Sequence, residues 1–153
     1  MAVRPITASR QVLLSIRHFC FAAAALLLIT AAASSAGSVA PAFRPPVGGV
    51  ITRCFSAAHT GIDFKTEPGS AVAAAAGGEV LFAGWLHGYG NTVIIDHFSG
   101  LTSSYSHLAE ICCREGEQIS SGQTVALSES SVLHFEIRIN GEPVDPKSYL
   151  KSP

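Results

Sequence analysis

The segment HTGIDF contains two side chains that can bind metals, those of His59 and Asp63, four residues apart. Gly61 lies between them and permits a sharp bend, so both side chains can reach one metal ion. Imidazole and carboxylate are ordinary zinc ligands. A histidine and an aspartate this close also occur by chance in many proteins, so the pair predicts a metal site only if a further ligand joins it.

A third candidate ligand, His134, lies in the segment VLHFEIRI. Apolar residues alternate with polar ones as in a half-buried strand, which places His134 on the face opposite the core-facing Leu133 and Phe135. Two histidines and one carboxylate would leave the fourth zinc position open for water, as in catalytic zinc sites. The segment by itself favours a simpler interpretation, in which His134 pairs with polar neighbours on adjacent strands.

Three further histidines have less distinctive surroundings. His107, in LTSSYSHL, shares one side of a predicted strand with Tyr105, and its segment alone indicates a surface histidine. We expect His97, beside a turn, to be exposed and structural, and His87 to lie on a loop surface. None of the three is a strong candidate from its own segment.

The elements that must position these residues are short strands separated by glycine-bearing turns. Such a pattern predicts an all-β, compact antiparallel sheet domain. The alanine run AVAAAA ends at Gly77-Gly78 after a few residues, so we interpret it as close backbone packing in the sheet rather than as a helix. The predicted strand segments are GGVITRCF, TGIDFKT, SAVAAAAGGEVLFAGW, NTVIIDHF, LTSSYSHL, GQTVAL and VLHFEIRI.

The chain begins with the pattern of a signal peptide, predicted for residues 1–36. Basic residues without an acid precede the uncharged run FCFAAAALLLITAAA, and the small residues SSA follow it. A spanning helix needs about 20 apolar residues, so cleavage is favoured over a retained anchor. We therefore expect an exported protein, in the periplasm or at the cell wall, with no stable membrane span after cleavage. Residues 37–46, GSVAPAFRPP, predict a Pro-rich linker, and residues 47–153 the folded domain.

Charge and cysteine content restrict the partners and the compartment. The formal charge of −1 becomes −4 once the three arginines of residues 1–36 are removed. No basic patch remains, which argues against nucleic acid as a partner. In an oxidising compartment we expect one disulfide between Cys54 and either Cys112 or Cys113, with the third thiol free. Zinc binding by the three thiols is the lesser alternative, because the chain has no Cys-x-x-Cys pair.

Taken in order, these segments resemble the lysostaphin-like, LytM-type zinc endopeptidases of the bacterial cell wall, from Val47 to Leu150. The matching segments are HTGIDFKTEPGSAVAAAAGGEVLFAGW, GYGNTVIIDHFSGLTSSYSHL, EGEQISSGQTVA and LHFEIRINGEPVDPKSYL. The resemblance implies a compact antiparallel fold with a groove floored by sheet. It also implies Zn²⁺ as the cofactor and peptidoglycan peptides as the substrate.

The resemblance assigns roles to individual residues. The His-x-x-x-Asp motif of the family falls on His59 and Asp63, and the second histidine of its His-x-His motif falls on His134, which implies that these three bind zinc. A catalytic histidine of the family, in a Tyr-x-His-Leu context, falls on His107. The first histidine of His-x-His falls on Val132, a side chain that neither accepts nor donates a proton.

Val132 and the segment before it leave two functions open. Family members have a Gly/Ser/Thr-rich loop there, whereas this chain has only ALSESS, residues 126–131, so we expect a shorter groove wall. One function is zinc-dependent hydrolysis of peptidoglycan cross-links, with Glu129 as a hypothetical substitute base. The other is a catalytically weakened domain that holds zinc and binds cell wall or activates another wall hydrolase. The complete ligand set favours the enzyme.

Overall fold

The computed structural model describes residues 42–151, so the predicted signal peptide and the first part of the predicted linker lie outside the described residues. None of the helices in this range is long and apolar enough to cross a membrane. The range contains ten strands and a single 3₁₀ turn. They are β1 (Ile51–Arg53), β2 (Ile62–Lys65), β3 (Ala71–Ala73), β4 (Gly78–Leu86), β5 (Gly90–Asp96), β6 (Leu101–Ile111), β7 (Gln118–Ile119), β8 (Thr124–Ser128), β9 (Val132–Ile139), β10 (Glu142–Val144) and the turn Pro146–Ser148.

The strands form one antiparallel sheet in the order β1-β2-β9-β6-β5-β4-β7, with β10 paired to β9 and β8 paired to β3 and β6. The prediction of an all-β antiparallel domain is confirmed. The alanine run supplies β3 only as far as Ala73; Ala74, Ala75 and Ala76 are buried beyond its end. Strand β9 lies between β2 and β6, so residues far apart in sequence become cross-strand neighbours there.

The core covers one face of this sheet. Alternate residues of the central strands point into it, as the period of two requires. Burial of each large apolar side chain contributes about 1.5 to 3 kcal/mol, and these contacts hold β2, β9 and β6 in a fixed register. The largest fully buried side chains include Tyr105, Phe43, Phe135, Ile62, Ile95, Leu108, Leu133 and Ile137.

The packed domain begins before the boundary expected at Val47. Phe43, within the predicted linker, is fully buried and forms a parallel bridge with Leu150. The next residue donates its backbone N–H to the carbonyl of Ala75. The sequence GSVAPAFRPP could not predict this contact, because one buried aromatic residue produces no periodic pattern.

His97 is buried, with 6% of its surface exposed, contrary to the expected exposed position. Its Nδ1 lies 2.7 Å from the carbonyl oxygen of Gly77, and its Nε2 lies 2.7 Å from Ser103 Oγ. Phe43 contacts the ring edge-on at a centroid distance of 4.9 Å. Burial lowers the pKa of His97, although the bond to Gly77 and the nearby Asp96 oppose that shift. The expectation that His97 is structural agrees with these contacts.

The buried His97 should make the free energy of unfolding depend on pH. Because its pKa is lower in the folded than in the unfolded chain, the unfolded chain takes up the proton first, so folding stability falls as the pH drops below about 6.5. One such proton accounts for at most about 1.4 kcal/mol per pH unit. Urea unfolding of the metal-free chain between pH 8 and pH 5 should show a smaller slope in His97→Gln than in wild type. The exposed His87→Gln serves as the control, and parallel curves for wild type and His97→Gln would refute the prediction.

The predicted disulfide is absent among the described residues: Cys54, Cys112 and Cys113 are all free thiols. Cys54 follows the edge strand β1 and is exposed near the Lys147 ammonium group, at 3.9 Å. Cys112 follows β6 and is bonded through its backbone to Val125 of β8. Strands β2 and β9 lie between β1 and β6, and at about 4.8 Å per strand this separation exceeds the Cα distance of about 7 Å within which a disulfide can form. Burial raises the pKa of the Cys113 thiol to about 11.

Candidate metal centre

His59 lies in a tight turn just before β2. The backbones of Ser56 and His59 exchange two hydrogen bonds, of 3.0 and 3.1 Å, which fix the position of the imidazole. Its Nδ1 lies 3.2 Å from the carbonyl oxygen of Cys54. A carbonyl only accepts, so Nδ1 carries the hydrogen and Nε2 presents its lone pair. That lone pair faces Asp63 Oδ1 at 3.1 Å.

Gly61 is required where this turn enters the sheet. A Cβ atom added at Gly61 would collide with the carbonyl oxygen of Phe135 and lie 3.0 Å from the His134 ring. Only glycine therefore permits β2 to approach β9 closely enough for its side chains to meet those of β9.

His134 comes from β9, directly opposite Asp63 of β2 in the antiparallel register. Its Nδ1 lies 2.7 Å from Asp63 Oδ1, the same oxygen that His59 faces. The side chains of His59, Asp63 and His134 thus converge, with their ligand atoms all within 4.8 Å of one another. The structure brings together the three residues that the sequence proposed as metal ligands.

Glu136 lies beneath His134 on the same face of β9 and is 2% exposed. Its Oε1 lies 3.0 Å from His134 Nε2 and also accepts hydrogen bonds from the hydroxyls of Thr60 and Tyr89. Its Oε2 accepts from the Arg138 guanidinium, with Nη2 at 2.8 Å. Burial would raise the pKa of this carboxyl, but the hydrogen bonds from His134, Thr60 and Arg138 lower it to about 2. Glu136 is therefore ionised at neutral pH.

The hydrogen-bond partners determine which nitrogen of His134 faces the cluster. Both partners of His134 are carboxylates, which only accept; in the neutral form of the imidazole, which can bind a metal together with Asp63, Nε2 donates to Glu136 and Nδ1 keeps its lone pair beside Asp63 Oδ1. Two imidazole lone pairs and one carboxylate oxygen then face one another without a hydrogen between them. That arrangement is unfavourable unless a cation lies among them. Burial lowers the pKa of His134, but its hydrogen bonds with Glu136 and Asp63 raise it by more.

His107 projects into the same cleft from a β-bulge. The pairing of β5 with β6 shifts its register at Asn91 and Thr92, leaving His107 as the extra residue of β6. Its backbone has φ 63°, a left-handed conformation that is costly for a residue with a Cβ. Bonds from its N–H to the Tyr89 carbonyl and from the Glu129 N–H to its own carbonyl hold this conformation. Its ring centroid lies 6.3 Å from that of His134.

These residues surround a cleft of about 260 Å³ on the outer face of the sheet, lined also by Arg53, Thr60 and Tyr89. Past Tyr89 lies an apolar cavity of about 410 Å³, lined by Leu81, Leu86 and other residues that include Glu136. Tyr89 borders both, and residues of the sheet strands line each of them.

Val132 occupies the first position of β9, opposite Lys65 of β2, on the same strand face as His134. It is half-buried and lies outside the residues that line the cleft. Three residues, 129–131, connect β8 to β9, as the short segment ALSESS indicated. Glu129 is exposed and reaches His107 only through its backbone.

Sequence reasoning missed Glu136 and Arg53. Glu136 had a visible indication, because it is two residues from His134 on the polar face of β9 and hence beside the same site. The sequence gives no such indication for Arg53. A register shift in β1 determines which face of the sheet its side chain points to, and no sequence pattern marks that shift.

The donor set of this site fits zinc. Two neutral imidazoles and one carboxylate, from the segment HTGIDF and from β9, form the ligand type of catalytic zinc sites, and a carboxylate behind one imidazole is the usual partner of a metal-binding histidine. The fold and site together define a protein class in which an open antiparallel sheet carries a two-histidine, one-carboxylate metal centre in a groove. The chain belongs to Peptidase family M23, whose model matches residues 57–146.

The relatives of this chain include proteins named as an activator and as a peptidase. It is 39% identical over 128 residues to the murein hydrolase activator NlpD of Salmonella dublin, covering 76% of this chain and 34% of the relative. It is 43% identical over 95 residues to the DD-carboxypeptidase/endopeptidase Mpg of Neisseria meningitidis, covering 59% of this chain and 22% of the relative. A zinc containing peptidase from Vibrio cholerae has a TM-score of 0.63 and 30% identity, covering 73% of this chain and 40% of that structure. The chain thus spans about a third or less of the curated relatives it matches.

Proposed function

We propose that the protein is an exported zinc metalloendopeptidase that hydrolyses peptide cross-links of peptidoglycan in cell-wall remodelling. The observation that carries the proposal is the convergence of His59, Asp63 and His134, with His107 in the same cleft. The similarity to a wall endopeptidase and to a zinc containing peptidase supports it. The predicted signal peptide supports a location in the periplasm or at the cell wall.

The groups in the cleft divide the reaction between them. Bound zinc supplies a Lewis acid that polarises a peptide carbonyl and lowers the pKa of water. Glu136 holds the tautomer of His134, so the ligand nitrogen is ready without reorganisation. His107 faces the cleft, where its imidazole would accept a proton from the attacking water at Nδ1 or Nε2 and donate it to the leaving amine. The bulge places His107 among the residues that line the cleft with the candidate metal ligands.

A second candidate function rests on Val132. Valine cannot exchange a proton, so the acid/base group that the family has at this position is missing. Such a loss typically lowers the rate by about 10² to 10⁴. The β8–β9 connection has only three residues, 129–131, and we expect it to form a lower groove wall than the longer family loop would. In this alternative the zinc-holding domain binds cell wall or activates another wall hydrolase; the Salmonella relative is named a murein hydrolase activator.

Digestion of purified peptidoglycan by the zinc-loaded full chain separates the two functions. We expect wild type to release cross-link peptides slowly and Val132→His to release them about 10²-fold faster or more, because the missing acid/base group returns. Mass spectrometry of the products identifies the bond that is cut. Chelator-treated protein is the control and should be inactive. If both proteins carry about one zinc and neither releases peptide, the peptidase function is refuted. The binding or activating function then remains.

A further inference from the structure

Arg53 reaches the metal cleft because of an irregularity in the edge strand. Ile51 of β1 pairs with the core residue Phe64, so continued alternation would direct Arg53 toward the core side as well. A register shift between the two instead pairs Arg53 with Asp63. A bulge of this kind re-aims a side chain to the other face of a sheet. Arg53 accordingly lines the cleft together with the ligand residues.

No acidic group of the described residues pairs with Arg53. The four ion pairs within residues 42–151 involve other side chains, and the Arg53 guanidinium makes no hydrogen bond there. Its neighbour Asp63 directs Oδ1 to His59 and His134 instead. Arg53 is exposed, and it is the sole lysine or arginine among the residues that line the cleft.

A guanidinium in this position selects a particular ligand. Its planar fork matches a carboxylate with two parallel hydrogen bonds, a geometry that lysine does not provide. When zinc is bound, the metal compensates the negative charge of Asp63. The positive charge of Arg53 can then pair with an anionic group of the bound molecule. The cleft therefore favours peptides that carry a free carboxylate beside the group held at the metal.

We propose that Arg53 binds a carboxylate of the peptide in the metal cleft and so determines specificity for acidic wall peptides. The peptide nature of the ligand rests on the function proposed above. The carboxylate has two possible sources, the C terminus of the peptide or an acidic group within it. If the carboxylate is the C terminus, Arg53 favours peptides bound at their free ends. If it is an internal acidic group, Arg53 determines which position along the cross-linked peptide is bound at the metal.

Peptide binding to the zinc-loaded full chain tests this proposal without requiring hydrolysis. The probes are a peptidoglycan stem pentapeptide, the same peptide amidated at its C terminus, the same peptide amidated at its internal carboxylates, and the fully amidated peptide. We expect Arg53→Gln to weaken binding of the unmodified peptide about 10- to 100-fold, the size of a lost charge-assisted pair. The amidation that removes the difference between wild type and Arg53→Gln identifies the source.

Two further variants complete the measurement. Arg114→Gln, an exposed arginine outside the cleft, should bind every peptide as wild type does. Arg53→Lys should bind the unmodified peptide more tightly than Arg53→Gln but less tightly than wild type, because lysine keeps the charge and lacks the planar guanidinium. Zinc content is checked in each variant. The proposal is overturned if wild type does not distinguish free from amidated peptides, or if Arg53→Gln weakens the fully amidated peptide equally. Carboxylate-dependent binding without hydrolysis would uphold Arg53 while refuting the peptidase function.

Discussion

Replacement of Asp63 by alanine is expected to abolish stoichiometric zinc binding. Asp63 Oδ1 is the atom that both His59 Nε2 and His134 Nδ1 face, so its removal leaves two imidazoles without the carboxylate between them. Loss of a mere hydrogen-bond partner of a ligand costs about 10- to 100-fold in metal affinity, and loss of the ligand itself should cost more. Any peptidase activity should disappear with the metal.

The measurement is zinc titration combined with thermal and urea unfolding. At free zinc 100-fold above Kd, binding stabilises the wild-type fold by about 2.7 kcal/mol, and Asp63→Ala should gain almost none of this. Glu110→Gln, an exposed acid of β6 outside the cleft, is the matched control and should respond as wild type. Equal zinc affinity in Asp63→Ala and wild type would exclude this site as the metal centre.

The convergence of these ligands could be anticipated from the sequence only through resemblance. Alternation in VLHFEIRI correctly placed Leu133 and Phe135 in the core and His134 on the opposite face. It could not say which strand would lie alongside. The register that sets His134 opposite Asp63 depends on β2 and β9 becoming neighbours, and seventy-one residues separate the two side chains. Long-range pairing of that kind leaves no local pattern.

Other features escaped because they arise from packing or from irregular backbone. Alternation does not predict that Glu136, on the polar face of β9, is buried and accepts hydrogen bonds from Thr60 and Tyr89. His97 was expected at the surface, but Phe43 packs on its ring from outside the predicted domain boundary. The bulge at His107 is invisible to a period of two, since it is a departure from that period. Periodicity predicts regular strands, so it locates His134 on β9 but not His107 and Arg53, which lie at register shifts.

Replacement of Glu136 by alanine is expected to destabilise the fold and disorganise the metal centre together. The change removes one carboxylate that accepts from four side chains and leaves the hydroxyl of Thr60, the imidazole of His134 and the Arg138 guanidinium without their acceptor. Removing one partner of a buried pair typically costs about 3 to 5 kcal/mol. Because Arg138 is 36% exposed and water can solvate it, the lower end of that range is expected. Urea unfolding in chelator measures this loss without the metal.

The conservative change Glu136→Gln isolates the effect on His134. Glutamine keeps the volume, but its amide turns a donor toward either Arg138 or His134, so Nε2–H of His134 is no longer held by a charged acceptor. We expect a folded protein whose zinc affinity falls about 10- to 100-fold and whose His134 ¹⁵N resonances show a mixture of tautomers in zinc-free protein at high pH. Glu142→Gln, an exposed acid of β10, should leave both properties unchanged. A folded Glu136→Gln protein with wild-type zinc affinity and a single tautomer would show that the metal ligands position His134 by themselves, and Glu136 would then contribute to stability alone.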